Sequence, residues 1–362
     1  MAAPLECWKS GAGNSGNGTG TKHEGAGQGE GSRAALWARP PDIRGEGRHK
    51  MPKWVFATRQ TTIAREVELE GKGVHSGAPV SLVLHPAEAD VGHRFLVSKR
   101  GRFIADIPAK IGNVKNLTLC TVIGDETGVS VGTVEHLLAA LRGLGVDNCY
   151  IEVDSKEVPI MDGSSAAFVE AIDEAGIREL TESRRYIKVL KPVRIDEGDC
   201  WGEIVPHSGF HLDVEIEFDT PVIGRQRLSL EMSPGVFRNE IARARTFGFM
   251  RDVEKLWKAG LALGASLKNT VAIGDDRILN PEGLRHPQEF VRHKMLDAVG
   301  DLALAGYQLL GAYRSVRGGH RLNAHVLKAL FADASAWTLV QAPRMREPIT
   351  RHAGYALAAA GE

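Results

Sequence analysis

The sequence predicts an α+β protein built as two similar halves, on three observations. Short β-branched runs cluster ahead of helical segments instead of alternating with them one for one. That strands-then-helices order occurs twice, across residues 55–176 and 186–341. Between the two lies LTESRRY (180–186), a polar stretch with no apolar period. The 362 residues also exceed the roughly 100–200 residues of one ordinary domain. The resulting division is a disordered extension at 1–50, an N-terminal α+β domain at 51–182, a C-terminal α+β domain at 183–345 and a tail at 346–362.

The extension GAGNSGNGTGTKHEGAGQGEGSR has almost no large apolar residue, so it cannot offset its chain entropy by burial. Met51 is an alternative start. In the first half, 80–86 and 94–97 alternate as strands do. Residues 133–145 form a helix: Val134, Leu137, Leu138 and Leu141 share a face, Thr133 is placed to cap it, and Gly143 and Gly145 end it. A strand follows at 149–154, with Cys149, Ile151 and Val153 on one side, and then a helix over 162–176 with Ser164 as cap. The second half reads as strands at 186–190, 211–218 and 227–232. After them come a short helix near 236–245, a long one over 288–307, another at 324–331 and a closing strand at 337–341.

Composition narrows the function. Lys+Arg and Asp+Glu balance at 45 each, which argues against binding nucleic acid through bulk charge. No apolar run approaches the roughly 20 residues of a membrane-spanning helix, and the N-terminus lacks the apolar core of a signal peptide. Cys7, Cys120, Cys149 and Cys200 lie far apart with no CxxC pair, so the pattern suggests neither a disulfide framework nor a thiolate zinc site and fits a reducing cytoplasm.

Chemistry concentrates in four segments. In HKMLDAVGD, His293, Asp297 and Asp301 are four and eight residues apart and share one helical stripe. That suits a mixed nitrogen–oxygen zinc site with the third group behind it. The alternative is a solvated, i,i+4-paired face, but Met295, Leu296, Val299 and Leu302 make the helix largely apolar. In TVEHLLAAL, Glu135 precedes His136, a pairing in which the imidazole binds metal and the carboxylate takes a proton from water. His136 would complete a three-ligand set. In SVRGGHRLNAH, His320 follows two glycines in what reads as a tight loop, and a structural loop histidine is the simpler reading from spacing alone. In RARTFGF, Thr246 offers a hydroxyl and Phe247 an apolar ring; a strand end with a core Phe reads the same way. GKGVHSG (71–77) lacks the Lys-Ser/Thr ending of a P-loop.

Taken together, GKGVHSG, TVEHLLAAL, VPIMDGSSAAFV, RARTFGF, LNPEGLRHPQEFVRHKMLDAVGDL and GGHRLNAHVL resemble the LpxC family. These are UDP-3-O-acyl-N-acetylglucosamine deacetylases, zinc amidases of lipid A synthesis in Gram-negative bacteria. The resemblance runs from about Thr58 to Val340. It implies two related domains, each a two-layer helix/sheet sandwich with a small insert, and helix layers packed together in the middle. The second insert, near 249–273, would be a β-α-β wall around an acyl passage. The resemblance makes His136, His293 and Asp297 ligands of one catalytic Zn2+, Glu135 the base, His320 the general acid, Asp301 the carboxylate that orients it and Thr246 the partner of the oxyanion. It also implies substrate contacts from Phe247, Lys294, Phe218, Asp252 and His75. The implied partner is a UDP-linked acylated amino sugar, and the implied protein is a cytoplasmic monomer. Two departures bear on substrate fit: Thr118 stands where some members carry Met, and His93 stands where an apolar residue is usual. A zinc peptidase would share the metal set and Glu135 without needing Phe218, and a non-catalytic sugar-nucleotide module would need neither Glu135 nor His320.

Overall fold

Strand β1 (Arg59–Ile63) opens the fold in the computed structural model, which describes residues 57–342. The 1–50 extension and the 346–362 tail lie outside the described residues. In the first half come β2 (Val67–Lys72), β3 (Pro79–His85), β4 (His93–Lys99) and β5 (Arg102–Pro108). A small antiparallel meander follows, β6 (Val114–Asn116), β7 (Val122–Gly124) and β8 (Ser130–Val131). Helix α1 (Glu135–Leu144), strand β9 (Cys149–Val153), helix α2 (Ala166–Ala175) and strand β10 (Ile177–Ser183) complete it. The main sheet has the order β2-β3-β9-β4-β5. Its strands alternate: Val80, Leu82 and Leu84 on β3, Phe95 and Val97 on β4, and Cys149, Ile151 and Val153 on β9 are all buried. Strand pairing puts these side chains on one face, which makes the floor of the core.

The second half begins with β11 (Arg185–Val189), β12 (Val193–Glu197), β13 (Cys200–Val205), β14 (Phe210–Glu217) and β15 (Arg225–Glu231). A single turn, α3 (Pro234–Val236), leads into a π-type turn at Phe237–Ile241. Next come β16 (Phe247–Phe249), α4 (Met250–Lys258), β17 (Val271–Ile273), α5 (Glu289–Leu302), β18 (Gln308–Val316), α6 (His320–Ala332) and β19 (Trp337–Gln341). The sheet is centred on β18, which pairs with β13 antiparallel and with β11 and β14 parallel. β16 and β17 pair in parallel across α4, so 247–273 is a β-α-β unit.

Every residue of α1 is buried, as is every residue of α5 except Lys294. A helix apolar or buried all round needs neighbours on all sides, and here the two helices are each other's neighbours. They approach closely at Gly300, where an added Cβ would lie 2.0 Å from the Glu135 carbonyl oxygen. Glycine is the residue that lets the backbones meet.

Three local expectations are corrected, and one strand is added. The added strand is Ile177–Ser183, which is paired antiparallel with β1. Its side chains are mostly exposed, so backbone pairing, which leaves no apolar period, holds it. Thr133 does not cap α1; it sits at φ 57, in the left-handed region, and Val134 precedes the first helical residue. The segment 236–245 is not a regular helix but a Ser233-capped turn running into a π-type turn. His320 is the first residue of α6 rather than a loop residue, and the helix therefore starts four residues before 324.

Candidate active site

The i,i+4,i+8 stripe of α5 buries His293, Asp297 and Asp301 at 2%, 2% and 1% exposure. Because α1 crosses α5 at Gly300, the first turn of α1 delivers Glu135 and His136 to that stripe. Asp297 Oδ1 lies 3.4 Å from His293 Nε2 and 3.7 Å from His136 Nε2. The two imidazoles stand edge to face, 5.0 Å apart and at 87°. His293 Nδ1–H donates to the Ala244 carbonyl at 3.0 Å, which turns its Nε2 lone pair toward Asp297.

Asp297 Oδ1 is buried and takes no hydrogen bond, whereas Oδ2 accepts from Lys294 Nζ at 2.9 Å. An unpartnered carboxylate oxygen in the core is costly unless a cation fills the place. Burial holds both imidazoles neutral. It pushes His136 down to about 3, with His293 adding to the effect, and lowers His293 as well. Burial works the other way on Asp297, but His293 and Lys294 outweigh it and keep the carboxyl well below its usual range. Two neutral imidazoles and one carboxylate around a shared point form a donor set that zinc takes with three protein ligands.

Beside this triad, Glu135 Oε2 accepts from the Thr121 N–H at 3.1 Å, and Oε1 lies 3.9 Å from His320 Nε2. Burial raises Glu135 to about 7, partly offset by His320 and reinforced by Asp301 and Asp297. His320 Nδ1 donates to Asp301 Oδ2 at 2.9 Å. Burial disfavours a charged His320, but Asp301, Asp297 and Glu135 together overcome it and raise the group to about 9. Asp301 is itself held by the Thr121 hydroxyl at 2.6 Å and by Asn323 Nδ2 at 2.8 Å. Asn323 Oδ1 in turn accepts from the Tyr313 hydroxyl at 2.5 Å. Sequence reasoning missed Thr121, Asn323 and Tyr313. Of these, only Asn323 carried a usable signal, its i,i+3 spacing from His320 on one helix.

Phe247 packs against α5, with ring centroids 6.1 Å from His293 and 5.0 Å from Phe290. Phe218 joins it at 5.8 Å, and Lys294 Nζ lies 5.5 Å from the Phe247 ring centre. Thr246 is half-buried at the start of this segment, two residues after the carbonyl that orients His293; its own N–H donates to the Gly163 carbonyl at 2.8 Å. The segment is anchored by Arg245, whose Nε meets Glu289 Oε1 at 2.8 Å inside the protein, another contact the sequence did not reveal. His75 sits farther out. Its N–H donates to Glu157 Oε2 at 3.0 Å, and its carbonyl accepts from Leu263 N at 3.0 Å, which ties it to the chain after α4. Burial lowers His75, with Glu157 opposing. Asp252 lies half-buried in the first turn of α4 and, among the described residues, makes no hydrogen bond or ion pair with the triad.

Residues 60–332 match the family described as LpxC, UDP-3-O-acyl N-acetylglycosamine deacetylase. The chain belongs to the LpxC family. Relatives named UDP-3-O-acyl-N-acetylglucosamine deacetylase from Brucella ovis and Brucella canis are 50% identical to it over 284 residues, 78% of this chain and 99% of theirs. A relative of the same name from Brucella melitensis biotype 2 is 49% identical over the same length. All the site residues above fall inside the LpxC match, from His75 to Asn323. Cys120, next to Thr121, is buried and free, and burial, with Glu135 adding, pushes it up to about 12, so it offers no thiolate here.

Proposed function

We propose that this chain is a zinc-dependent deacetylase acting on UDP-3-O-acyl-N-acetylglucosamine, releasing acetate and UDP-3-O-acyl-glucosamine in lipid A synthesis. The observation that carries the reading is the unpartnered Asp297 Oδ1 facing two neutral imidazoles, with Glu135 next to one of them. The names of the LpxC relatives supply the substrate.

His136, His293 and Asp297 would hold the zinc, which when bound supplies Lewis-acid activation of water and of the amide carbonyl. Glu135 follows His136 in the first turn of α1 and takes the proton of the attacking water. Water oxygen adds to the acetyl carbon, and the Thr246 hydroxyl donates to the oxygen on which charge develops. Such a donor is typically worth about 3–4 kcal/mol. His320, protonated and held by Asp301, gives its proton to the sugar nitrogen as the C–N bond breaks, leaving acetate and a free amine. Lys294 meets the pyrophosphate or sugar, Phe247 and Phe218 line the sugar-nucleotide side with Asp252 nearby, and His75 contributes from beside the β-α-β unit. That unit, 247–273, is read as the wall of the acyl passage.

The same reading takes 51–182 and 183–345 as two related sandwiches whose helix layers meet at α1 and α5. In support, each half has a main sheet and its own small sheet, at 114–131 and at 247–273. It also takes the protein as a cytoplasmic monomer of a Gram-negative cell; among the described residues no helix is long and apolar enough to cross a membrane. The test of the reading is Glu135→Gln and His320→Gln, each assayed for acetate release and metal content. Both variants should keep about one zinc and lose about 100- to 10,000-fold in kcat. Near-full turnover in either would remove that residue from the mechanism.

A further inference from the structure

A second cluster of metal-ligating side chains lies outside the site above. His207, in the turn between β13 and β14, His211 on β14 and Glu231 at the end of β15 bring ligand-type atoms within 4.8 Å of one another. Antiparallel register places His211 directly opposite Glu231. One carboxylate oxygen, Glu231 Oε2, serves both rings, 2.9 Å from His207 Nε2 and 3.3 Å from His211 Nδ1. The other nitrogen of His211, Nε2, lies 2.9 Å from Ser229 Oγ on the same hairpin. Metal-bound imidazoles are oriented by such a bond at the second nitrogen, and here it turns Nδ1 toward the shared position. The turn also runs close to the carboxylate: a Cβ on Gly209 would lie 2.0 Å from Glu231 Oε1, the movable end of that side chain.

We propose that His207, His211 and Glu231 form a second metal site, for a borderline divalent transition ion such as Zn2+ or Ni2+, which clips the 206–209 turn to the β14–β15 hairpin. Two nitrogens and one carboxylate oxygen match the preferences of these ions and not those of Mg2+ or Ca2+, which take oxygen sets. Tetrahedral zinc with bonds of about 2.0–2.2 Å places neighbouring donors roughly 3.3–3.6 Å apart. The observed 2.9 and 3.3 Å therefore need only a small opening. All three residues are half-buried, so solvent completes the coordination.

The test uses the full chain already loaded with about one equivalent of zinc, titrated with ZnCl2 in a calorimeter and followed by its melting temperature. The wild-type protein should bind about one further zinc and melt higher as zinc rises, since a ligand that binds only the folded state stabilises it. The His207→Ala/His211→Ala double variant should show neither effect, with deacetylase activity at one equivalent unchanged. Glu231→Gln keeps the side-chain volume and gives the same readout should the double variant fail to fold. A further zinc bound equally by wild type and variants, or none bound by wild type, would overturn the proposal.

Discussion

His320 owes its charge to the residues behind it. Asp301 contacts it directly, and Thr121 and Asn323 fix Asp301 so that its oxygen stays aimed at the ring. Asp301→Asn keeps that shape and removes the charge. Burial then dominates and His320 loses its proton at lower pH, so the alkaline fall of kcat, set by a group at about 9 in the parent, moves downward. A kcat–pH profile reads this directly, and an alkaline limb that stays in place would mean that another group supplies the proton. Spacing puts His293, Asp297 and Asp301 on one stripe but fits a solvated, paired face as well; only with the LpxC motifs were the principal residues of this centre legible. Their supporting polar residues were not. Tyr313 follows Leu309, Leu310 and Ala312 along β18, and nothing in one dimension shows that its buried hydroxyl reaches Asn323 on α6.

At the scale of elements, the geometry depends on how closely α1 and α5 approach. Gly300→Ala adds a Cβ that would stand 2.0 Å from the Glu135 carbonyl oxygen. Neither backbone can give way without separating the helices. Overpacking of this kind costs about 1–3 kcal/mol, and displacing Glu135 and His136 by about 1 Å should cost about 100-fold in kcat. Thermal melts and steady-state rates on one preparation check both, and a variant that is stable and fully active would show that the crossing has slack. Both helices were legible, α1 from its apolar period and α5 from its length and stripe. β10 was not, because an exposed strand held by backbone pairing needs no apolar alternation. The start of α6 was hidden by Gly318 and Gly319, which read as loop although Gly319 is the residue before the first helical turn.

For the molecule as a whole, acid stability should report on His93, the departure from the family pattern noted in the sequence. It is buried on β4, and its Nε2–H donates to the Val146 carbonyl at 3.0 Å. Burial, with Arg142 adding, pushes it down to about 3. The unfolded chain, with an ordinary imidazole near pH 6.5, binds the proton first. His93 therefore costs no stability above about pH 6.5 and removes about 1.4 kcal/mol per pH unit below it. Urea midpoints at neutral and mildly acidic pH should fall more steeply for the parent than for His93→Leu, whatever the variant's starting stability. Parallel slopes would remove His93 as the cause.

The most direct measurement of the central claim is acetate release from UDP-3-O-acyl-N-acetylglucosamine by chelator-stripped protein as zinc is added back. Activity should start near zero and rise in proportion to zinc up to about one equivalent, the count expected of a catalytic centre with three protein ligands. Asp297→Ala, titrated alongside, should stay flat. Full turnover by the metal-free protein, or an Asp297→Ala variant that recovers like the parent, would contradict the assignment of His136, His293 and Asp297 as the zinc-binding heart of the enzyme.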